Sequence, residues 1–203
     1  FKSAHLMDIR VFFASTIDVY GACKEHVWSE DINPEPVTMY GKTKYMAERY
    51  LQDLYKDKTE KYLIARFAPV YSKDRMTDIH KRIYINYPKL ALKLGTNPTY
   101  SFLALENVVK FIFFWISKGN QGYNIVNVCD EKGVTAEDLI EREKAAGRAR
   151  YVIRIPKTFS KTIAMLAERL LYSESKRELG FALTKVFCPR ALNTRRLLTM
   201  LEA

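Results

Sequence analysis

Short apolar runs and a long amphipathic stretch alternate along the first 70 residues. Residues 9–14 (IRVFFA) and 62–67 (YLIARF) are rich in branched and aromatic side chains, which predicts two buried strands. Between them, residues 39–55 predict a helix because apolar side chains recur at helical spacing, at Met46, Ala47, Tyr50, Leu51 and Leu54. Strand, helix and strand in this order form a parallel crossover unit, so the pattern predicts an α/β fold.

The remaining pattern alternates in the same way after a looser stretch of loop and helix pieces that follows Pro69. A weak capping box at Thr135 and Asp138 marks the start of one further helix. The predicted strands lie near 100–103, 124–128 and 151–155, and the predicted helices near 106–117, 135–145 and 157–171.

Composition describes an ordinary globular protein, with 48% apolar and 28% charged residues among 203. The longest apolar run, at residues 111–116, is too short to span a bilayer, so we expect no membrane among the partners. Cys23, Cys129 and Cys188 are widely spaced, which disfavours a disulfide framework or a metal site and fits the cytoplasm.

The net charge of +10 has two interpretations. It could mark an anionic ligand such as nucleic acid or a phosphate-bearing small molecule. It could equally be spread over solvated faces, which we favour because basic residues form no block of five and acidic residues are interleaved. Nucleic acid is therefore not expected as a partner.

A tyrosine four residues before a lysine on a helix suggests acid/base chemistry. The two side chains share a helix face, and an ammonium group close to a phenol favours the phenolate. The spacing occurs three times, at Tyr20/Lys24, Tyr40/Lys44 and Tyr172/Lys176. The Tyr40/Lys44 match is favoured because it alone runs into an amphipathic helix.

Two strand ends and one helix start should lie close together around Tyr40. Ser15 and Thr16 follow the first predicted strand, and residues 67–71 follow the next, while Tyr40 begins the helix between them. Because ligands of open parallel sheets bind at the carboxyl ends of strands, we expect a site at this edge.

Five segments in register resemble the extended short-chain dehydrogenase/reductase family, the NAD-dependent epimerase/dehydratases that act on nucleotide sugars. The resemblance covers residue 9 to about residue 185. The segments are 11–21 (VFFASTIDVYG), 36–44 (PVTMYGKTK), 65–71 (ARFAPVY), 102–109 (FLALENVV) and 175–181 (SKRELGF).

The resemblance implies a role for each matched residue. Tyr40 would be the catalytic acid/base, Lys44 would hydrogen-bond the nicotinamide ribose and act on Tyr40, and Thr16 would bind the substrate oxygen, with Ser15 as the neighbouring alternative. NAD or NADP would contact Ser15, Tyr40, Lys44, Phe67, Pro69 and Val70. Substrate would contact Thr16, Asp18 and Tyr71, and no metal is implied.

The resemblance also implies a division of the chain. Residues 1–72 and about 100–130 would be the second half of a Rossmann-like domain, and residues 73–99 and 131–203 a small substrate-binding α/β subdomain. The family's glycine-rich phosphate loop has no counterpart here, so we expect its N-terminal cofactor-binding half to be absent from these residues.

The implied function is an NAD(P)-dependent epimerase or reductase acting on a nucleotide-activated sugar. A dehydratase is ranked lower because Asp18 lacks an adjacent glutamate. The alternative is a non-catalytic binding or scaffold fragment that holds no cofactor. We expect a homodimer through the Tyr40 helix, where Tyr45, Arg49, Gln52 and Asp53 fall away from the predicted Met46/Tyr50 face.

Overall fold

The fold, taken from a computed structural model, is described for residues 1–202. Within them the α-helices are α1 (Lys2–Leu6), α2 (Met39–Leu54), α3 (Thr77–Ile83), α4 (Leu105–Lys118), α5 (Ala136–Ala145), α6 (Lys157–Leu171), α7 (Arg177–Phe187) and α8 (Arg195–Glu202). The longer strands are β1 (Val11–Thr16), β3 (Tyr62–Phe67), β5 (Tyr84–Asn86), β6 (Leu90–Leu94), β9 (Ile125–Val128) and β11 (Tyr151–Ile155). Two-residue strands complete the set: β2 (Val27–Trp28), β4 (Val70–Tyr71), β7 (Thr99–Tyr100), β8 (Leu103–Ala104), β10 (Val134–Thr135) and β12 (Ala191–Leu192).

A parallel three-stranded sheet in the order β1-β3-β9 supports the first part of the chain. Alternate side chains of β3 pack on its two faces. Leu63 and Ala65 join a core with α4 and α8, and Tyr62 and Ile64 pack against α2. Because both faces of β3 are covered, its sequence is a nearly continuous apolar run. Such a run is easily recognised, so the observed bounds of β3 match the prediction.

A second three-stranded sheet, in the order β11-β6-β5, lies in another part of the chain. The strands β6 and β11 are parallel, and β5 is antiparallel to β6. Helices α3 and α5 bury Ile79, Ile83, Leu139 and Ile140 in its core. The mixed α/β architecture with parallel sheets confirms the predicted fold class.

The chain divides into two compact units. The first comprises Phe1–Val70, Leu103–Asp130 and the segment that begins at Leu192, and the second comprises Tyr71–Phe102 and Glu131–Ala191. The expected subdomain ran to the last residue, whereas the structure returns the chain to the first unit at Leu192. The reason is apolar burial, since Leu197 and Met200 of α8 pack into the core formed by β3 and α4.

Most predicted elements lie within two residues of their observed bounds, but the predicted strand near 100–103 forms two short strands, β7 and β8, and the helices α7 and α8 were not predicted. After Pro69 the sequence predicted loop and helix pieces, and α3 is such a helix, but the strands β5 and β6 were not predicted. Within residues 1–202, no helix combines the length and the apolar character needed to span a membrane.

The buried face of α2 matches the predicted one only in part. Leu51 is buried as expected, but Met46 and Tyr50 are exposed, and Glu48 is buried instead. The prediction assumed that the apolar side chains would be buried. A fully buried ion pair at Glu48, described below, turns the helix so that this carboxylate points inward.

Candidate functional site

The first turn of α2 is held close to the segment that follows β1. Thr38 caps the helix, since its hydroxyl accepts a hydrogen bond from the Gly41 backbone N–H at 3.1 Å. Gly41 packs so tightly that a Cβ atom there would lie 2.7 Å from the Asp18 carbonyl oxygen. The missing side chain therefore brings the helix start, with Tyr40, to the turn that follows Thr16.

Lys44 lies one turn beyond Tyr40 and reaches the end of β1. Its Nζ donates a hydrogen bond to the Ala14 carbonyl oxygen at 2.8 Å and lies 5.1 Å from the Phe13 ring centroid. The same nitrogen lies 5.9 Å from the Tyr40 ring centroid. Tyr40 is 54% exposed, and the structure brings the predicted pair together.

Ser15 and Thr16 are both buried but have different partners. The Ser15 hydroxyl donates a hydrogen bond to Glu48 of α2. The Thr16 hydroxyl oxygen accepts one from the Asp18 backbone N–H at 3.2 Å, which caps a short 3₁₀ turn. The hydroxyl proton of Thr16 is not used in that bond.

Glu48 and Arg66 form a buried ion pair beneath the site. Their side chains are 0% and 2% exposed, and the Arg66 Nη2 lies 2.7 Å from a Glu48 carboxylate oxygen. The Arg66 Nε donates to both carboxylate oxygens, at 3.1 and 3.3 Å. Burial disfavours the charged guanidinium, but the hydrogen bonds and charge of Glu48 outweigh it and raise the pKa of Arg66.

The remaining first-unit candidates lie at the ends of neighbouring strands. Thr16 and Phe67 are paired residues at the carboxyl ends of β1 and β3. Pro69 and Val70 follow, half-buried, and the Pro69 carbonyl oxygen accepts a hydrogen bond from the Leu103 N–H at 3.0 Å. Tyr71 opens the second unit, where its ring packs edge-on against Phe102 at 6.3 Å.

The other tyrosine–lysine pairs lack this setting. Tyr20 is fully buried, stacks on Trp28 and donates its hydroxyl to Asn127 at 2.8 Å. Burial raises the pKa of Tyr20 above its ordinary value of 10.0, which opposes an acid/base role. Tyr172 and Lys176 lie in the connection between α6 and α7.

Each cysteine thiol is poorly suited to nucleophilic chemistry. Burial raises the pKa of Cys23, Cys129 and Cys188 to about 11. The thiolate, which is the reactive form, is therefore disfavoured near neutral pH.

Sequence reasoning assigned no role to Glu48, Arg66 or Gly41. The available signal was spacing, because Tyr40, Lys44 and Glu48 recur every four residues and must share one helix face. A carboxylate on the face that meets an apolar sheet requires a buried cation. Arg66, inside a buried strand, was the corresponding signal on the sheet.

A family comparison connects this geometry with known proteins. Residues 1–129 match the model of the NAD dependent epimerase/dehydratase family. The chain belongs to this family. The predicted membership of the extended short-chain dehydrogenase/reductase type is thereby confirmed.

Individual relatives agree with that membership. A curated protein of Escherichia coli O157:H7, N-acetyl-alpha-D-glucosaminyl-diphospho-ditrans,octacis-undecaprenol 4-epimerase, is 26% identical over 133 residues, which are 64% of this chain and 40% of that protein. This chain therefore covers less than half the length of this curated relative.

Solved structures share the fold. A conserved protein of unknown function from Silicibacter pomeroyi aligns with 100% of this chain and 64% of its own, at a TM-score of 0.65 and 14% identity. The UDP-Glc/GlcNAc 4-epimerase of Campylobacter jejuni aligns with 77% of this chain and 55% of its own, at a TM-score of 0.61 and 18% identity. The UDP-glucuronic acid 4-epimerase of Bacillus cereus, solved with NAD, aligns with 76% of this chain and 53% of its own, at a TM-score of 0.59 and 21% identity.

Proposed function

We propose that this protein is an NAD(P)-dependent epimerase or reductase of a nucleotide-activated sugar. Family membership and the named 4-epimerases among the similar proteins support the class of enzyme. The observation that carries the proposal is the placement of Lys44. Its Nζ lies 5.9 Å from the Tyr40 ring centroid and donates a hydrogen bond to the Ala14 carbonyl oxygen, two residues before Thr16.

Each residue of this group has a proposed part in the reaction. Tyr40 exchanges a proton with a hydroxyl of the sugar, and its exposed phenol can reach a bound substrate. Thr16 hydrogen-bonds the same substrate oxygen through the hydroxyl proton that its bond to Asp18 leaves unused. Lys44 orients Tyr40 and supplies positive charge, which favours the phenolate during proton transfer.

The residues at the strand ends fit the nicotinamide part of the cofactor. Lys44 has three donor protons, of which the bond to Ala14 uses one, so it can also donate to the nicotinamide ribose. Half-buried Phe67, Pro69 and Val70 offer an apolar surface for the ring. When bound, nicotinamide supplies hydride acceptance and return. Ser15 donates its hydroxyl to Glu48, and its contact with the cofactor stays a prediction.

The substrate contacts of Asp18 and Tyr71 are also proposals. Asp18 lies in the 3₁₀ turn against the start of α2, and Tyr71 begins the second unit. Asp18 without a glutamate beside it favours epimerisation or reduction over dehydration. The solved structures of similar fold include, besides the 4-epimerases, the dTDP-4-dehydrorhamnose reductase of Bacillus anthracis, so the proposal keeps both reactions.

We also propose a homodimer through α2 and a cytoplasmic location. The outward face of α2 exposes three apolar side chains, Met39, Met46 and Tyr50, and this strip supports self-association better than the polar face that the sequence suggested. Sedimentation equilibrium measures the assembly. The three free cysteines support a reducing compartment.

The test is turnover of the full polypeptide, including any residues that precede Phe1. UDP-glucose and UDP-N-acetylglucosamine are incubated with NAD, and the sugar products are followed by NMR. We expect Tyr40→Phe to lower turnover by about 10²- to 10⁴-fold, the contribution of a general acid/base. Tyr172→Phe, from a pair with the same spacing, should turn over like the wild type.

Two results would contradict the proposal. Full turnover by Tyr40→Phe would remove the acid/base assignment. Failure of the folded wild type to bind NAD in a calorimetric titration would remove the redox reaction itself and favour the non-catalytic alternative.

A further inference from the structure

Residues 148–172 carry half of the net charge of the protein. They contain six basic residues and one acidic residue, a net +5 of the +10 of the whole chain. The acidic residue, Glu168, is paired with Arg190, and Arg148 is paired with Glu143. Within residues 1–202, no ion-pair partner lies against the other five cations, Arg150, Arg154, Lys157, Lys161 and Arg169.

The same segment exposes large apolar side chains. On α6, Phe159, Met165 and Leu166 are 67%, 71% and 53% exposed. On β11, Tyr151 and Ile153 are also exposed, and because they are two residues apart they share one face of the strand. Unpaired cations and large apolar groups are thus interspersed over one continuous stretch of chain.

The opposite face of α6 is firmly attached to the second unit. Ser160, Ala167 and Leu171 are buried there. A Cβ atom on Gly180 of α7 would lie 2.1 Å from the Leu171 nitrogen, so the two helices pack at close range. The Ser160 hydroxyl also accepts a hydrogen bond from the Gly95 N–H at 3.2 Å. The outward side chains of α6 are therefore presented from an anchored helix.

We propose that α6, together with β11, docks on the surface of an anionic lipid bilayer. A helix that lies in the membrane interface buries apolar side chains at the boundary of headgroups and acyl chains, while lysine and arginine contact anionic headgroups. Phe159 and Leu166 supply the first contact, and the unpaired cations supply the charge complementarity. Nucleic acid would match the cations but would leave Met165 and Leu166 exposed to water.

The proposal departs from the sequence-based expectation that no membrane is a partner, an expectation that stays a prediction. That expectation came from the absence of a long apolar run, which tests for spanning and not for interfacial contact. The docking itself does not depend on any reaction.

The test is flotation of the full chain with phosphatidylcholine vesicles prepared with and without phosphatidylglycerol. We expect binding only with phosphatidylglycerol, and weaker binding as the salt concentration rises. The variant Phe159→Gln/Leu166→Gln and the variant Lys157→Gln/Lys161→Gln should each bind about tenfold more weakly.

Matched controls lie on α4, in the first unit. Phe113→Gln/Ile116→Gln and Lys110→Gln/Lys118→Gln change equally exposed side chains and should bind like the wild type. Circular dichroism confirms that each variant is folded, and a variant that fails to fold is replaced by Met165→Gln alone, which should also weaken binding.

Several outcomes would overturn the proposal. These are no flotation of the wild type, binding that is indifferent to phosphatidylglycerol, and equal loss in the α4 controls. Self-association that α6 variants abolish, without vesicle binding, would assign the surface to a second copy. Oligonucleotide binding that only the lysine variant weakens would assign it to nucleic acid. Because flotation needs no turnover, its failure leaves the proposed reaction untouched.

Discussion

At the scale of single residues, Glu48 has the most demanding environment near the site. Its side chain is fully buried, forms an ion pair with the guanidinium of Arg66 and accepts a hydrogen bond from the Ser15 hydroxyl. A buried ion pair contributes little net stability, but the loss of one partner strands the other charge in an apolar interior. The pair also joins α2 to β3 and β1, which fixes the rotation of the helix that carries Tyr40 and Lys44.

Glu48→Gln should therefore be strongly destabilising. We expect the free energy of unfolding to fall by about 3–5 kcal/mol, because the Arg66 charge stays buried without its counterion. Glu137→Gln is the control, since Glu137 pairs with Lys93 on the surface and should cost about 0–1 kcal/mol. Urea denaturation measures the free energy of unfolding of both variants. Equal losses would show that the buried ion pair contributes no more to stability than the pair at Glu137.

At the scale of elements, sequence patterns predicted α2, β3, β11 and α6 closely because each carries a strong period or an uninterrupted apolar run. They did not predict the strands β5 and β6. In residues 77–94, Lys81, Arg82 and Lys89 interrupt short runs of apolar residues. Neither the helical nor the strand spacing of apolar residues therefore dominates there. The strand β6 pairs with β11, some 60 residues away, and β5 pairs in turn with β6. The local sequence pattern does not contain these pairings.

The candidate site was predictable in part for a similar reason. The residues proposed for it, Thr16, Tyr40 and Lys44, are close to strand ends and helix starts, and topology alone brings those positions together. The rotation of α2 was not predictable. It depends on the pairing of Glu48 with a cation on another element, and that pairing outweighs the apolar pattern of Met46 and Tyr50.

Glu143 of α5 links three elements of the second unit and gives stability a dependence on pH. It accepts hydrogen bonds from Arg148 at 2.7 Å and from the Tyr84 hydroxyl at 2.9 Å, and it lies 3.4 Å from the His80 Nε2. The bond from Arg148 is the main cause that lowers the pKa of Glu143 below its ordinary value of 4.5. Its stabilising effect is complete above that value and is lost as pH falls through the lower pKa of the folded state.

Glu143→Gln should remove this dependence. At neutral pH the variant should lose about 2 kcal/mol of unfolding free energy, as expected for hydrogen bonds to a charged group. As pH falls below about 4.5, the difference between variant and wild type should shrink, because the wild-type carboxylate becomes protonated. Thermal melts from neutral to acidic pH measure that difference. Glu141→Gln, exposed on the same helix, should track the wild type, and a difference that persists in acid would contradict the assignment.

At the scale of the whole molecule, the two units have separate cores. The first is built around β3, α4 and α8, and the second around α3, β6 and α5. Both tryptophans of the chain, Trp28 and Trp115, belong to the first unit. Tryptophan fluorescence therefore reports the first unit alone, whereas far-ultraviolet circular dichroism reports the helices of both.

We expect the two units to unfold in separate transitions, since a core of its own lets a unit unfold cooperatively. Glu48→Gln, in the first unit, should move the fluorescence midpoint to lower urea concentration. Glu143→Gln, in the second, should move a circular dichroism transition and leave the fluorescence midpoint unchanged. Coincident curves that both variants shift together would instead mean that the units unfold as one.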